Sequence, residues 1–131
     1  MNAASIDIKS ILVADSSLGL IFGTNLFIGK EPTSPLDCVT IFDTTGFGPE
    51  FTLDKQSLFN PSIQIRVRSI SYETGYAWIE SIATALHLRA HEVWGGTQYE
   101  LISIASGPAL LDYDDRGNPR FIINFNIIRR N

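Results

Sequence analysis

The 131-residue sequence predicts an α+β domain: a mostly antiparallel β-sheet packed against two α-helices, with a long loop between strands. Three stretches carry that expectation. From Ser62 to Ile70 apolar and polar residues alternate. From Tyr72 to about His87 apolar residues return at helical spacing. From Tyr99 to Arg130 two alternating segments flank an acidic turn, Asp114-Asp115-Arg116-Gly117-Asn118.

Taken in order, Ser5 to Asp15 reads as the first helix. Ser5 stands where an N-cap belongs, and Asp7 lies in the first turn, where the helix dipole favours a negative charge. Ile8, Ile11 and Leu12 make one apolar stripe, and Ser16, Ser17 and Gly19 end it. Leu26 to Gly29 is a short strand. Asp37 to Phe42 is a better one, with Val39 and Ile41 on one face and Cys38, Thr40 and Phe42 on the other.

Asp43 to Asn60 is then expected to be the long loop, because Thr44-Thr45-Gly46-Phe47-Gly48-Pro49 breaks regular structure. Its apolar members Phe47, Phe51, Leu53, Leu58 and Phe59 are unusual for a free loop. They either fold back on the core or dock on a neighbouring subunit.

In the strand Ser62 to Ile70, Ile63, Ile65 and Val67 face inward, while Gln64, Arg66 and Arg68 face a wet surface. Arg66 and Arg68 are the candidates there for ion pairing across a subunit boundary, with Asp114 and Asp115 as partners. Ser71 caps the second helix, whose stripe is Tyr72, Tyr76, Ile79, Ile82, Ala83 and Leu86. Gly75 weakens it by roughly 1 kcal/mol relative to alanine, which fits a close approach to a strand. After Gly95-Gly96, Tyr99 to Ala105 and Phe121 to Ile128 are antiparallel strands, with a break at Ser106-Gly107-Pro108.

Size and composition limit the function classes. Residues 1–131 fit one domain. With 44% hydrophobic and 18% charged residues, the chain is too apolar for disorder and too interrupted by charge for a membrane span. The N-terminus lacks a basic region followed by an apolar stretch, so a cytoplasmic start is expected. The net charge of −4 is the wrong sign for a nucleic-acid reader. Cys38 is the only cysteine, so no intrachain disulfide can form, and a buried inert thiol is expected.

No constellation supports catalysis, a cofactor or a metal. Asp112, Asp114 and Gly117 share the outline of a calcium loop. However, the third ligand position is Arg116, and the twelfth, which needs a bidentate glutamate, is Ile123. His87 and His91 are four apart, as on one helical face, but Leu88 stands where a metalloprotease helix has glutamate. Gly46-Phe47-Gly48 lacks the third glycine and the helix of a nucleotide loop. No Gly-x-Ser-x-Gly elbow occurs.

An ordered set of segments does resemble a known family. It comprises Asp37-x-Val39-Thr40-Ile41-Phe42-Asp43-Thr44 before Gly46, then Pro61-Ser62-Ile63-Gln64-Ile65-Arg66-Val67-Arg68 leading into an aromatic-rich helix. Gly95-Gly96 before Tyr99, Ser106-Gly107-Pro108, Asp114-Asp115-Arg116-Gly117-Asn118 and Phe121-x-Ile123-Asn124-Phe125 follow. In this order they are similar to the tail terminator proteins of long-tailed bacteriophages, many of them labelled minor capsid proteins.

The resemblance implies a structural virion protein and no enzyme. Six copies would form a ring that caps the tail tube, ends its growth and offers a surface to head-completion proteins. The implied partners are further copies of the chain, the tube protein and a connector protein, with DNA passing through the channel unread and no membrane involved. Six copies would carry roughly −24 in all, which disfavours DNA sticking. The implied place is the head-proximal end of the tail, after assembly in the host cytoplasm. Candidate contact residues are Phe47, Phe51, Arg66, Arg68, Asp114, Asp115 and Arg116. The alternative from the same assembly class is a head-closure or connector protein. A metal-dependent hydrolase using Asp112, Asp114 and His87, and a peptide adaptor using a strand edge, are the other readings.

Overall fold

The computed structural model describes residues 1–51 and 57–130. The chain folds as α1 (Ala4–Ala14), a 3₁₀ turn (Ser16–Leu18), β1 (Leu26–Ile28), β2 (Cys38–Phe51), β3 (Ser57–Arg68), α2 (Tyr72–Leu86), β4 (Arg89–Trp94), β5 (Thr97–Tyr113) and β6 (Pro119–Arg130). The strands form one six-stranded sheet in the order β1-β2-β3-β6-β5-β4. Only β1 and β2 pair in parallel; the other neighbours are antiparallel. This is the expected α+β class.

Strand periodicity puts alternate residues of each central strand on the helix side. Val39 and Ile41, Ile63, Ile65 and Val67, and Phe121, Ile123, Phe125 and Ile127 are all buried there. They meet Ile8, Ile11 and Leu12 of α1 and Ile79, Ile82 and Leu86 of α2. Burying each such side chain contributes about 1.5–3 kcal/mol, so this single layer of contacts is the main force joining helices to sheet.

Gly75 lies where α2 crosses β6. A Cβ there would sit 2.7 Å from the Phe121 ring and 2.9 Å from the Ser69 Cβ, so close approach is why glycine stands in a helix interior. Ser71 caps α2 as expected, accepting from the Thr74 amide at 3.4 Å.

Four expectations are corrected. Ser5 is not the N-cap of α1. The helix starts from Ala3, which supplies no side-chain cap. Ser5 lies in the first turn instead, where its amide and hydroxyl donate to Asp43 of β2 at 3.0 and 2.6 Å. The strand supplies the acceptor that a local cap would have given.

The long loop is mostly strand. β2 continues to Phe51 and β3 begins at Ser57, so residues 43–51 and 57–60 form a hairpin arm with two register shifts, on either side of Phe47. Gly46, Gly48 and Pro49 fit because, among the described residues, β2 has no strand partner there on the side away from β3. Leu53 and the side chain of Phe51 lie outside the described residues.

The Ser106-Gly107-Pro108 break is likewise an irregularity inside the long β5, between the Ser106–Asn124 and Ala109–Ile122 pairs. Finally, His87 and His91 do not share a helical face. His87 is the C-cap of α2, and His91 is in β4, with φ 56°. The strand β4 is signalled by Gly95-Gly96, whose positive φ values of 58° and 76° make the two-residue hairpin that joins Trp94 to Thr97.

Candidate assembly surface

The helices cover one face of the sheet. The opposite face carries a row of side chains set by strand register: Phe42 opposite Gln64, Gln64 opposite Asn124, and Asn124 opposite Ser106. Gln64 donates to the Asn124 carboxamide oxygen at 3.1 Å, and Asn124 donates to the Ser106 hydroxyl at 2.9 Å. Arg66 joins this row. Its Nε donates to Gln64 Oε1 at 2.8 Å, and its guanidinium lies over the Phe42 ring at 4.8 Å. Arg66 is thus held flat along the sheet with part of its charge in solvent, a geometry suited to a polar partner.

Arg68 behaves differently, and the wet-face expectation is corrected for it. It is 5% exposed. The segment after β1 folds over its guanidinium, which donates to the carbonyls of Pro32, Pro35 and Leu36 at 2.7, 2.8 and 2.9 Å and pairs with Glu31 at 2.7 Å. Its charge is spent inside the subunit. Glu31 also faces Arg120 at 3.5 Å, and Arg120 holds Asp112 through two bonds of 2.6 Å. That fork keeps the Asp112 carboxyl below its ordinary range. The Arg120 guanidinium is shifted up by the same bond.

The acidic turn joins β5 to β6, as expected. Asp114 is its organiser rather than a free charge. Its carboxylate accepts from the amides of Arg116 and Asn118 at 2.9 and 2.8 Å and from the Asn118 side chain at 3.1 Å. The Asn118 bonds lead in drawing its carboxyl down. Arg116 reaches across to the Thr33 carbonyl at 2.8 Å. Asp115 is exposed. The turn is therefore a braced tip, with Asp115 as its outward charge.

Phe47 is 77% exposed on the β2–β3 arm. Leu58 and Phe59 of the same arm are half-buried, so the arm shares its apolar residues between core and solvent. At the other corner of the sheet, Ile70, Tyr72, Leu110, Leu111 and Tyr113 are exposed apolar residues, with the Tyr72 ring standing edge-on to Phe121 at 4.9 Å. Apart from Arg66 and Arg68 on β3, the candidate residues thus fall into two regions. Phe47 and the β2 arm are at one end, and the β5–β6 tip with Asp114, Asp115 and Arg116 is at the other.

Sequence reasoning missed the buried cluster that ties the two ends of the chain together. The Tyr99 hydroxyl donates to Asp7, and Arg129 donates to Tyr99 at 3.1 Å and to the Asn2 carbonyl at 2.9 Å. Only the polar residue Arg129 on the inward face of β6 signals it. Cys38 is buried as expected, and burial pushes its thiol up. Among the described residues, no helix is long and apolar enough to cross a membrane. No group of three or more His, Cys, Asp or Glu side chains could hold a metal ion among the described residues.

Comparison with known proteins agrees with this architecture. The family model for bacteriophage tail terminator protein matches residues 8–131. No curated protein matches the chain. Among solved structures, a chain from the virion of a native gene transfer agent (GTA) particle has a TM-score of 0.66 and 14% identity. The match covers 98% of this chain and 96% of that one.

Proposed function

The chain belongs to the bacteriophage tail terminator family, and from that membership we propose that its copies close into a ring capping the finished tail tube. The ring ends tube growth and presents its outer surface to a head-completion protein. The family is a structural one of the phage tail end, and the likeness to a virion chain over 98% of the length is in keeping with it. Six copies is the stoichiometry expected.

The observation that carries the reading is the match of the family model to residues 8–131, nearly the whole chain. The surface supports it. A ring needs a heterologous interface, one region of a subunit meeting a different region of the next. The sheet offers two such regions at opposite corners, the Phe47 arm and the β5–β6 tip. Phe47 of the arm and Asp115 and Arg116 of the tip are exposed, and Arg66 is partly exposed on the sheet face between them. Arg68 and Asp114 act by shaping them.

Mass measurement of the purified protein, with imaging of purified particles, tests the reading. A discrete closed oligomer, present at one end of the tail, is expected. A strictly monomeric protein absent from virions contradicts it.

A further inference from the structure

The sheet has four unpaired borders among the described residues: the outer sides of β1 and β4, the part of β2 beyond Ile41, and the part of β5 beyond Ile104. Two are unfit for further pairing. β1 is three residues long. β4 carries His91 at φ 56°, a left-handed residue that breaks the flat extended border a further strand would need.

The other two are matched. Along β2 the free border runs from Asp43 to Gly48, where Pro49, lacking an amide proton, closes it. Along β5 it runs from Ala109, just past Pro108, to Tyr113. At its upper limit the His87 imidazole accepts from the Ile104 amide at 3.1 Å, closing the ladder where β4 stops. The two windows are similar in length. β2 and β5 run in opposite directions on opposite sides of the sheet. A second copy, facing the same way, therefore brings its β5 window to this β2 window as an antiparallel pair.

We infer that the seam between neighbouring copies is this pairing, Asp43–Gly48 of one chain against Ala109–Tyr113 of the next. The inference rests on the ring reading above and names its interface. The register supports closure. Through β3 and β6, Thr44 lies level with Asn126, whereas Ala109 lies level with Ile122 and Tyr113 with Pro119. The windows are therefore offset by about 20 Å along the strands at ~3.3 Å per residue. Crossing four strands spans about 19 Å at ~4.8 Å spacing. Each added copy then tilts the strands about 45° from the ring axis, near the tilt of closed barrels. The seam also brings Phe47 beside the Ala109–Leu111 end of the window and Tyr113 beside the Asp43 end, covering apolar residues exposed in the single chain.

Disulfide trapping tests this. Phe47→Cys is combined in one chain with Ala109→Cys, Leu110→Cys or Leu111→Cys, and the assembled protein is oxidised. Cys38 is buried and stays silent. At least one pair is expected to give a ladder of covalent oligomers ending at the closed ring. Mixing the matching single variants should give only dimers. Amide hydrogen exchange on the unmodified protein should show both windows protected on assembly. An oligomer of unchanged mass with no cross-link and no protection overturns the seam while leaving the ring intact. A monomer at every concentration overturns the ring reading as well.

Discussion

The Tyr99 hydroxyl donates to the Asp7 carboxylate inside the protein, so the first helix is fastened to the fifth strand by a bond that no solvent reaches. Arg129 closes the cluster from β6 and holds the Asn2 carbonyl. Tyr99→Phe leaves the buried carboxylate one donor short and is expected to cost about 1–3 kcal/mol. Arg129→Met leaves the same carboxylate without its cation and should cost about 3–5 kcal/mol. Denaturant unfolding measures both, and the double variant should cost less than their sum.

The same cluster sets an alkaline limit. Burial, followed by the bond to Asp7, pushes the Tyr99 phenol well above its ordinary range. The unfolded chain ionises near pH 10, so this contribution is full below about pH 10 and is lost as pH rises above it. The stability difference between wild type and Tyr99→Phe should shrink as pH rises above that point. A constant difference across that range counts against a buried neutral phenol.

The Asp112–Arg120 fork gives the opposite sign. Asp112 is held below the usual carboxylate range by Arg120, so its contribution is present above about pH 4 and is lost as pH falls further. Asp112 is partly open to solvent, and the effect is expected to be small, about 1 kcal/mol or less. Asp112→Asn should lower the melting temperature at neutral pH and leave it unchanged near pH 2.

Gly75 sets two effects against each other. Alanine would improve helix propensity by about 1 kcal/mol. The added methyl would press on the Phe121 ring and the Ser69 Cβ at under 3 Å. Overpacking of this kind costs about 1–3 kcal/mol, so Gly75→Ala is expected to be neutral or destabilising. A clear gain in thermal stability would mean that α2 and β6 are further apart than described.

Phe47 separates folding from assembly. It is exposed, so Phe47→Asp should change the stability of the single chain by less than about 0.5 kcal/mol. Placed in a seam between copies, it should abolish the oligomer. Sedimentation and a melting curve on one preparation read both quantities.

The parts that read well from sequence are those where one physical signal acts alone. The alternation of Ile63, Ile65 and Val67, the Ile79–Leu86 part of the α2 stripe and the Asp114–Asn118 turn are observed where expected, while Tyr72 at the start of the stripe is exposed. The misses share a cause, since each depends on a partner distant in sequence. Gly46, Pro49 and Pro108 look like strand breakers, but a border without a partner tolerates them. Arg68 has the spacing of a surface residue, but the segment at Glu31–Leu36 folds over it. Ser5 has the chemistry of a cap, but its acceptor is Asp43. Phe47, Asp115 and Arg116 are exposed, so a candidate contact surface was legible. Its division into two corners required the sheet order.

The central claim is that copies of this chain stop tube growth by closing over its end. Tail length in particles assembled without the chain tests it most directly, by electron microscopy of tubes made with and without it. The account predicts overlong tubes or tubes without heads when the chain is absent. Tubes of normal length carrying heads would contradict it.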